Sequence, residues 1–195
     1  MAELIFREET HQYFLDGAEL PSITRVLAPL KDFSHVHPEL LERACLFGQA
    51  VHKTVELYLA DDLVEEGLDP NLADCLEAFR QWERDSPDLR APVVERPMAH
   101  QRLGYAGTPD LIYDGQAIVE IKTRDYDPLC DPIQTAAQEQ LWLANGGTKG
   151  AYRRFVLTLR PGGYALKACP KKGGWERFRY LLDFYKMQQQ IHLWK

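Results

Sequence analysis

The sequence predicts an α/β fold in one domain, a central mixed β-sheet flanked by helices. Apolar spacing runs from three- and four-residue periods to alternation and back again along the chain. Residues 92–123 hold three β-branched or alternating stretches in succession, separated by turns rich in Gly. The 195 residues are enough for one substantial core and too few for two comfortable ones.

The elements follow in order. LIFREETHQYFLDG alternates around a charged turn and predicts an N-terminal β-hairpin over about 3–16. A helical segment over about 22–85 comes next. Ser22 caps a short helix that Pro29 helps to end. Pro38 opens a long, largely buried helix reaching about Ala60, and LADCLEAFRQWERD is a second amphipathic helix stopped by Ser86-Pro87. PVVERPMAH, GYAGTPDLIYD and AIVEIKT are the three strands. Asp131-Pro132 reads as a cap and first turn for a helix that ends at Asn145-Gly146-Gly147. RRFVLTL and YALKAC form a hairpin around Pro161-Gly162-Gly163, and WERFRYLLDFYKMQQQIHLW is a closing helix. Repeats, low-complexity stretches and linkers are absent from the sequence.

With 45% hydrophobic and 27% charged residues the composition is that of a globular protein, not a disordered chain. No apolar run approaches the roughly 20 residues of a membrane span, and MAELIFREET lacks a signal-peptide layout, so a cytoplasmic protein without membrane attachment is expected. Cys45, Cys75, Cys130 and Cys169 are too scattered for a zinc site or an iron-sulfur cluster and read as reduced thiols. The net charge of −6 does not announce a polyanion partner. Its distribution is uneven, however: acids crowd residues 54–88, whereas residues 149–179 carry nine Lys and Arg against Glu176 alone. Arg153, Arg154, Lys171 and Lys172 are therefore candidate phosphate contacts.

The chemically informative stretch is GTPDLIYDGQAIVEIKT, residues 107–123. It puts Asp110 on one strand and Glu120 on the next, with Lys122 on the same face as Glu120 because strand residues two apart share a side. Two carboxylates and an ammonium can hold a hard divalent cation and offset charge on a phosphodiester. A two-residue Asp114-Gly115 turn would put Asp110 on the opposite face. A three-residue loop over Tyr113–Gly115, pairing Ile112 with Gln116 and Asp110 with Ile118, brings the three together. It also leaves Leu111, Tyr113, Ala117, Val119 and Ile121 as an uncharged face for helices to cover.

The Pro109-Asp110 pair, the hairpin and the Glu120-Ile121-Lys122 triplet resemble the PD-(D/E)XK nuclease superfamily. GQAVHKTVELYL (48–59) and PIQTAAQEQLW (132–142) resemble the first and glutamine motifs of its RecB-like branch. LPSITRVL (20–27) is similar to the entry segment of its single-strand-preferring members, akin to the mitochondrial genome maintenance and phage exonucleases, which makes Ser22 and Thr24 candidate nucleic-acid contacts. The resemblance implies a restriction-endonuclease-like core and a Mg²⁺-dependent deoxyribonuclease, with Mn²⁺ able to substitute. It points to an exonuclease on single-stranded DNA or free ends in repair, recombination or phage replication. It further implies that His52, Asp110, Glu120 and the carbonyl of Ile121 ligate the metal, that Lys122 is the catalytic lysine, and that Gln134 holds phosphate or water.

The branch usually carries Tyr four residues after that glutamine, where this chain has Gln138. Glu56 follows His52 by one turn and is either a second carboxylate for the site or a helix-surface charge. Tyr105, Trp142 and Trp175 are able to stack on bases, but core packing is the favoured expectation for each. The competing functions are a catalytically silent nucleic-acid- or protein-binding relative and a structure- or sequence-specific endonuclease. Retention of Asp110, Glu120 and Lys122 favours activity over silence.

Overall fold

The expected hairpin forms, and a third strand extends it. In the computed structural model, which describes residues 3–192, β1 (Leu4–Arg7), β2 (Gln12–Leu15) and β3 (Ala18–Leu20) make an antiparallel meander. The Asp16-Gly17 turn, with φ of 49° and 81°, reverses the chain tightly enough for the extra strand. Ser22 then starts α1 (Ile23–Leu27) by accepting the Arg25 N–H at 3.0 Å, and Pro29 lies in a 3₁₀ turn, Ala28–Leu30.

α2 (Pro38–Leu59) has the expected bounds but not the expected burial. Only Val51, Thr54 and Val55 are buried, while Leu40 and Leu46 expose 60% and 57% of their surface. Its apolar spacing serves packing from Phe47 onward. α3 (Pro70–Asp85) is capped by the Asp69 carboxylate on the Asn71 N–H and buries Phe79 and Trp82 completely.

The three expected strands break into five: β4 (Val93–Val94), β5 (Met98–His100), β6 (Tyr105–Gly107), β7 (Leu111–Tyr113) and β8 (Ala117–Lys122). The breaks fall at Pro97 and Pro109, which have no N–H for a strand ladder. β5 and β6 pair off as a separate ribbon. The main sheet has the order β10-β9-β8-β7-β4, with β9 (Arg153–Arg160) and β10 (Gly163–Ala168) forming the expected hairpin. The β8–β9 pairing is parallel and the others antiparallel, so the sheet is mixed.

The parallel connection runs through α4 (Asp131–Ala144), whose N-cap is Cys130 rather than Asp131. The Asp131 carboxylate is turned instead to the Asp127 N–H and the Arg124 guanidinium. α5 (Gly174–His192) closes the fold, and the Leu193 and Trp194 of the expected helix lie outside the described residues.

Alternation on β7 and β8 divides the core. Leu111, Tyr113, Ala117, Val119 and Ile121 pack with Val51, Val55, Phe79 and Trp82 of α2 and α3. Ile112 and Ile118 face α1, α4 and α5 through Val26, Leu27, Ile133, Leu141 and Phe178. Each fully buried side chain of this kind stabilises by about 1.5–3 kcal/mol, which makes a slip by one residue prohibitive because it inverts both faces.

The β7–β8 turn has three residues, as expected, but they are Asp114-Gly115-Gln116. Tyr113 pairs with Ala117, Ile112 with Ile118 and Leu111 with Val119, two residues away from the expected register. The faces survive because the offset is even. Tyr113 stays in the strand because its ring packs against Trp82 at 6.3 Å. Asp114 occupies the turn because its carboxylate accepts from Trp142 Nε1, Tyr152 Oη and both Thr148 N and Oγ1. Gly115 takes the left-handed position at φ 72°.

Candidate active site

Asp110 immediately precedes β7, and continuing the ladder places it across from Glu120. Both are buried, at 5% and 2% exposure. Asp110 Oδ2 accepts the Ile121 N–H at 2.5 Å, and its main-chain carbonyl accepts the Glu95 N–H at 3.1 Å. The group of Ile121 engaged with Asp110 is thus its N–H.

His52 enters from α2, next to the buried Val51. Its Nδ1 lies 3.4 Å from Asp110 Oδ1 and 3.3 Å from Glu95 Oε1. Ligand atoms of His52, Glu95 and Asp110 all fall within 4.8 Å of one another. Gly48 is not sterically required by the protein, since a Cβ there would meet Thr123 Oγ1 at an ordinary 3.5 Å.

Glu95 was missed by sequence reasoning. It lies in the irregular link between β4 and β5 with φ 42°, a left-handed conformation that disfavours non-glycine residues. Such a position has no periodicity to betray it. The usable signal was the ERP triplet, an acid just before the proline that interrupts a strand-like run.

Glu120 is held by three donors. Lys122 Nζ and Gln134 Nε2 reach Oε1, and Gln138 Nε2 reaches Oε2, each at 2.5 Å. Gln134 therefore faces the carboxylate, with Gln138 one turn on doing the same for the other oxygen. Both amides are buried, and their Oε1 atoms have no partner among the described residues.

The electrostatics are those of a crowded acid cluster. Burial and repulsion from Asp110 push Glu95 up to about 7 despite the nearby His52. Glu120 is likewise raised by burial and Asp110, against Lys122 and Gln138. For Asp110, burial is outweighed by His52, Lys122 and the Ile121 N–H, and its pKa falls. Burial disfavours the charged forms of His52 and Lys122, but the carboxylates outweigh it and raise both.

The expectation for Arg154 is corrected by its burial. Arg154 is buried, donates to the carbonyls of Pro132 and Pro170 and pairs with Glu139 at 3.3 Å, so it ties α4 to the strands and is closed to DNA. Arg153, Lys171 and Lys172 are exposed. The parallel register sets Arg153 level with Ala117, at the opposite end of β8 from Lys122, whereas Lys171 and Lys172 lie between Pro170, whose carbonyl accepts from Arg154, and Gly174, which packs closely on Pro132 at the start of α4.

Ser22 is occupied as the α1 cap, with Thr24 Oγ1 exposed 3.0 Å from its hydroxyl. Glu56 pairs with Lys53 at 2.9 Å and stays out of the cluster. Tyr105, Trp142 and Trp175 are packing residues: Tyr105 bonds the Ala137 carbonyl, Trp142 bonds Asp114 and Trp175 stacks on Phe178.

Two further cations near Lys122 escaped the sequence reading. Arg124 binds the Asp131 carboxylate through both terminal nitrogens. Lys31 closes the 3₁₀ turn after α1, and its ammonium has a lowered pKa through burial and the charges of Lys122 and Arg124. All four cysteines are free, and no described helix is long and apolar enough to cross a membrane. No protein-family model matches the chain, and no curated protein matches it.

Proposed function

We propose that the chain is a divalent-cation-dependent nuclease of the PD-(D/E)XK type that hydrolyses phosphodiester bonds in DNA. The observation that carries this reading is the meeting of His52, Glu95 and Asp110 at one point beside a Glu120–Lys122 pair on the neighbouring strand. Nitrogen plus two carboxylate oxygens is a donor set that suits Mg²⁺ or Mn²⁺. Ligands at right angles about 2.1 Å from a cation stand about 3 Å apart. The 3.3 and 3.4 Å separations here fit that spacing.

A cation at this point supplies positive charge for the scissile phosphate and makes a neighbouring water more acidic. The chain's own groups do the rest. Lys122 offers an ammonium to the nucleophilic water or to the charge that develops on the phosphate, and Glu120 fixes it from two residues away. Gln134 and Gln138 hold Glu120 in one orientation, so little reorganisation is needed during reaction. Single-stranded DNA or free ends as substrate, and a role in repair, recombination or phage replication, belong to the same proposal and rest on the sequence resemblance.

The test is incubation of the purified protein with end-labelled single- and double-stranded DNA and Mg²⁺ or Mn²⁺. Cleavage that EDTA abolishes and that Asp110→Asn removes supports the reading. Intact DNA under all cation conditions overturns it.

A further inference from the structure

The sheet face that carries Glu120 and Lys122 continues beyond β8. In the β8–β9–β10 register Glu120 pairs with Val156 and Val156 with Lys167, while Lys122 pairs with Thr158 and Thr158 with Ala165. Residues paired across a ladder point to the same side, so Lys167 stands on the face of Glu120 and in its row, two strands or roughly 10 Å away. Gln134 and Gln138 of α4 cover the β8 end of these rows, whereas Ala165 and Lys167 at the β10 end are exposed.

The chain leaving β8 crosses this open end. The Arg124 carbonyl accepts Thr158 Oγ1 at 3.2 Å, Asp125 pairs with Arg160 at 2.8 Å, and the Tyr126 ring centroid lies 6.0 Å from Lys167 Nζ. The segment is stiffened on both sides of Tyr126: Arg124 holds Asp131, and the Asp127 carboxylate accepts the N–H groups of Leu129 and Cys130. Tyr126 is half-buried in it, so its ring is oriented before a ligand arrives.

The cations here are unequally committed. Arg124 binds Asp131 and Arg160 binds Asp125, whereas Lys167, Lys171 and Lys172 make no ion pair among the described residues. At 6.0 Å the Lys167 ammonium is at the outer limit of a cation–π contact and remains free to take a phosphate. Lys171 and Lys172 follow β10 on a loop fixed at both ends: Arg154 donates to the Pro170 carbonyl, and Gly174 lies so close to α4 that a Cβ would come within 2.5 Å of the Pro132 carbonyl. Point charges for phosphates and a π face for a base are what a single strand of nucleic acid uses. A base reaches the ring only when it is unpaired, which favours a single strand over a duplex.

We infer that Tyr126 and Lys167, continued by Lys171 and Lys172, form the track on which a single strand of DNA lies beside the site of Glu120 and Lys122. The choice of DNA rests on the proposed nuclease activity. Arg153 shares the opposite face of the sheet with Phe155, which packs toward α2 and α3, and is no part of the track.

The experiment measures binding of a labelled single-stranded oligonucleotide to the full chain in EDTA across a salt series. Lys167→Ala is expected to weaken binding and to lower the slope of log affinity against log salt by about 0.7, one phosphate contact on a single strand, and the Lys171→Ala, Lys172→Ala double variant by about 1.4. Lys167→Arg restores the slope. Tyr126→Leu weakens binding on the order of tenfold at an unchanged slope, and Tyr126→Phe, which keeps the ring, does not. Arg153→Ala leaves affinity and slope as they are. Cleavage of DNA by the wild type with unaltered binding in Lys167→Ala and Tyr126→Leu removes the track and leaves the nuclease reading standing. If the wild type binds the oligonucleotide through Lys167 and Tyr126 but cuts no DNA with Mg²⁺ or Mn²⁺, the track stands and the nuclease reading falls. An oligonucleotide neither bound nor cut overturns both.

Discussion

The Asp110 carboxylate accepts the main-chain N–H of Ile121 at 2.5 Å, so the strand that carries Glu120 also aims Asp110. One oxygen is fixed to the backbone, and the other faces His52. Asp110→Asn keeps the shape and removes the charge, and it is expected to lower cleavage at least about a hundredfold with a small change in thermal stability. Lys122→Ala should lose activity as well and also unfold more readily. It leaves Glu120 buried beside Asp110 without its cation, a loss of about 3–5 kcal/mol. Cleavage assays paired with thermal denaturation separate the two effects.

His52→Ala and Glu95→Gln are each expected to shift cleavage and cation binding to higher Mn²⁺ concentration. Glu95, pushed up to about 7, holds a proton below that pH, and a cation must displace it. Affinity should therefore rise with pH through about 7 and level off above. Without cation the sign reverses: the stability gained from protonated Glu95 is present below the ordinary carboxylate range and is lost as pH rises through about 7. Calorimetric Mn²⁺ titrations at several pH values check this, and Glu95→Gln should flatten the profile.

Gln138→Leu removes the donor on Glu120 Oε2 and leaves a buried acceptor unsatisfied. Hydrogen bonds to charged groups contribute about 1.5–3 kcal/mol, so denaturant melts should show a loss of that order. The cation requirement should rise in parallel, and Gln138→His, which restores a donor, should recover part of both.

Asp114→Ala is expected to destabilise the protein, since it removes the acceptor shared by Trp142, Thr148 and Tyr152. Hydrogen bonds from those residues depress the Asp114 pKa. The stability they confer is full above the ordinary carboxylate range and disappears as pH falls through the depressed value. Acid denaturation monitored by circular dichroism should be less steep in the variant.

Arg154→Ala should cost about 3–5 kcal/mol, because it strands Glu139 and two carbonyls in a closed environment. Oligonucleotide affinity of the protein that remains folded should not change. A selective loss of affinity with unaltered stability would return Arg154 to the surface role expected from its sequence neighbourhood.

Periodicity carried most of the fold because it reports which face is buried. The uncharged set Leu111, Tyr113, Ala117, Val119 and Ile121 demanded an odd loop, and that alone gathered Asp110, Glu120 and Lys122. Absolute register was not legible, since a shift by two preserves every face; Asp114's partners at the end of α4 and beyond it decide it from 28 or more residues away. Glu95 was hidden in irregular backbone, and Lys31 in a loop. Arg154 looked like surface because burial of an arginine depends on carbonyls that sequence does not place. Leu40 and Leu46 in α2 show the converse: they keep the apolar spacing and yet stand exposed.

β8 lies inside the sheet only when β9 has been laid beside it, in parallel, after the whole of α4. Parallel pairing closes a long loop before it returns any contact, which makes it a late event in folding. His52, Glu95, Asp110, Glu120 and Gln138 are all made before β9 exists, yet the strand they depend on is an open edge until then. The side chains of the cluster are therefore synthesised well before the sheet that supports them is complete, which happens only when residues 153–160 have been laid against β8.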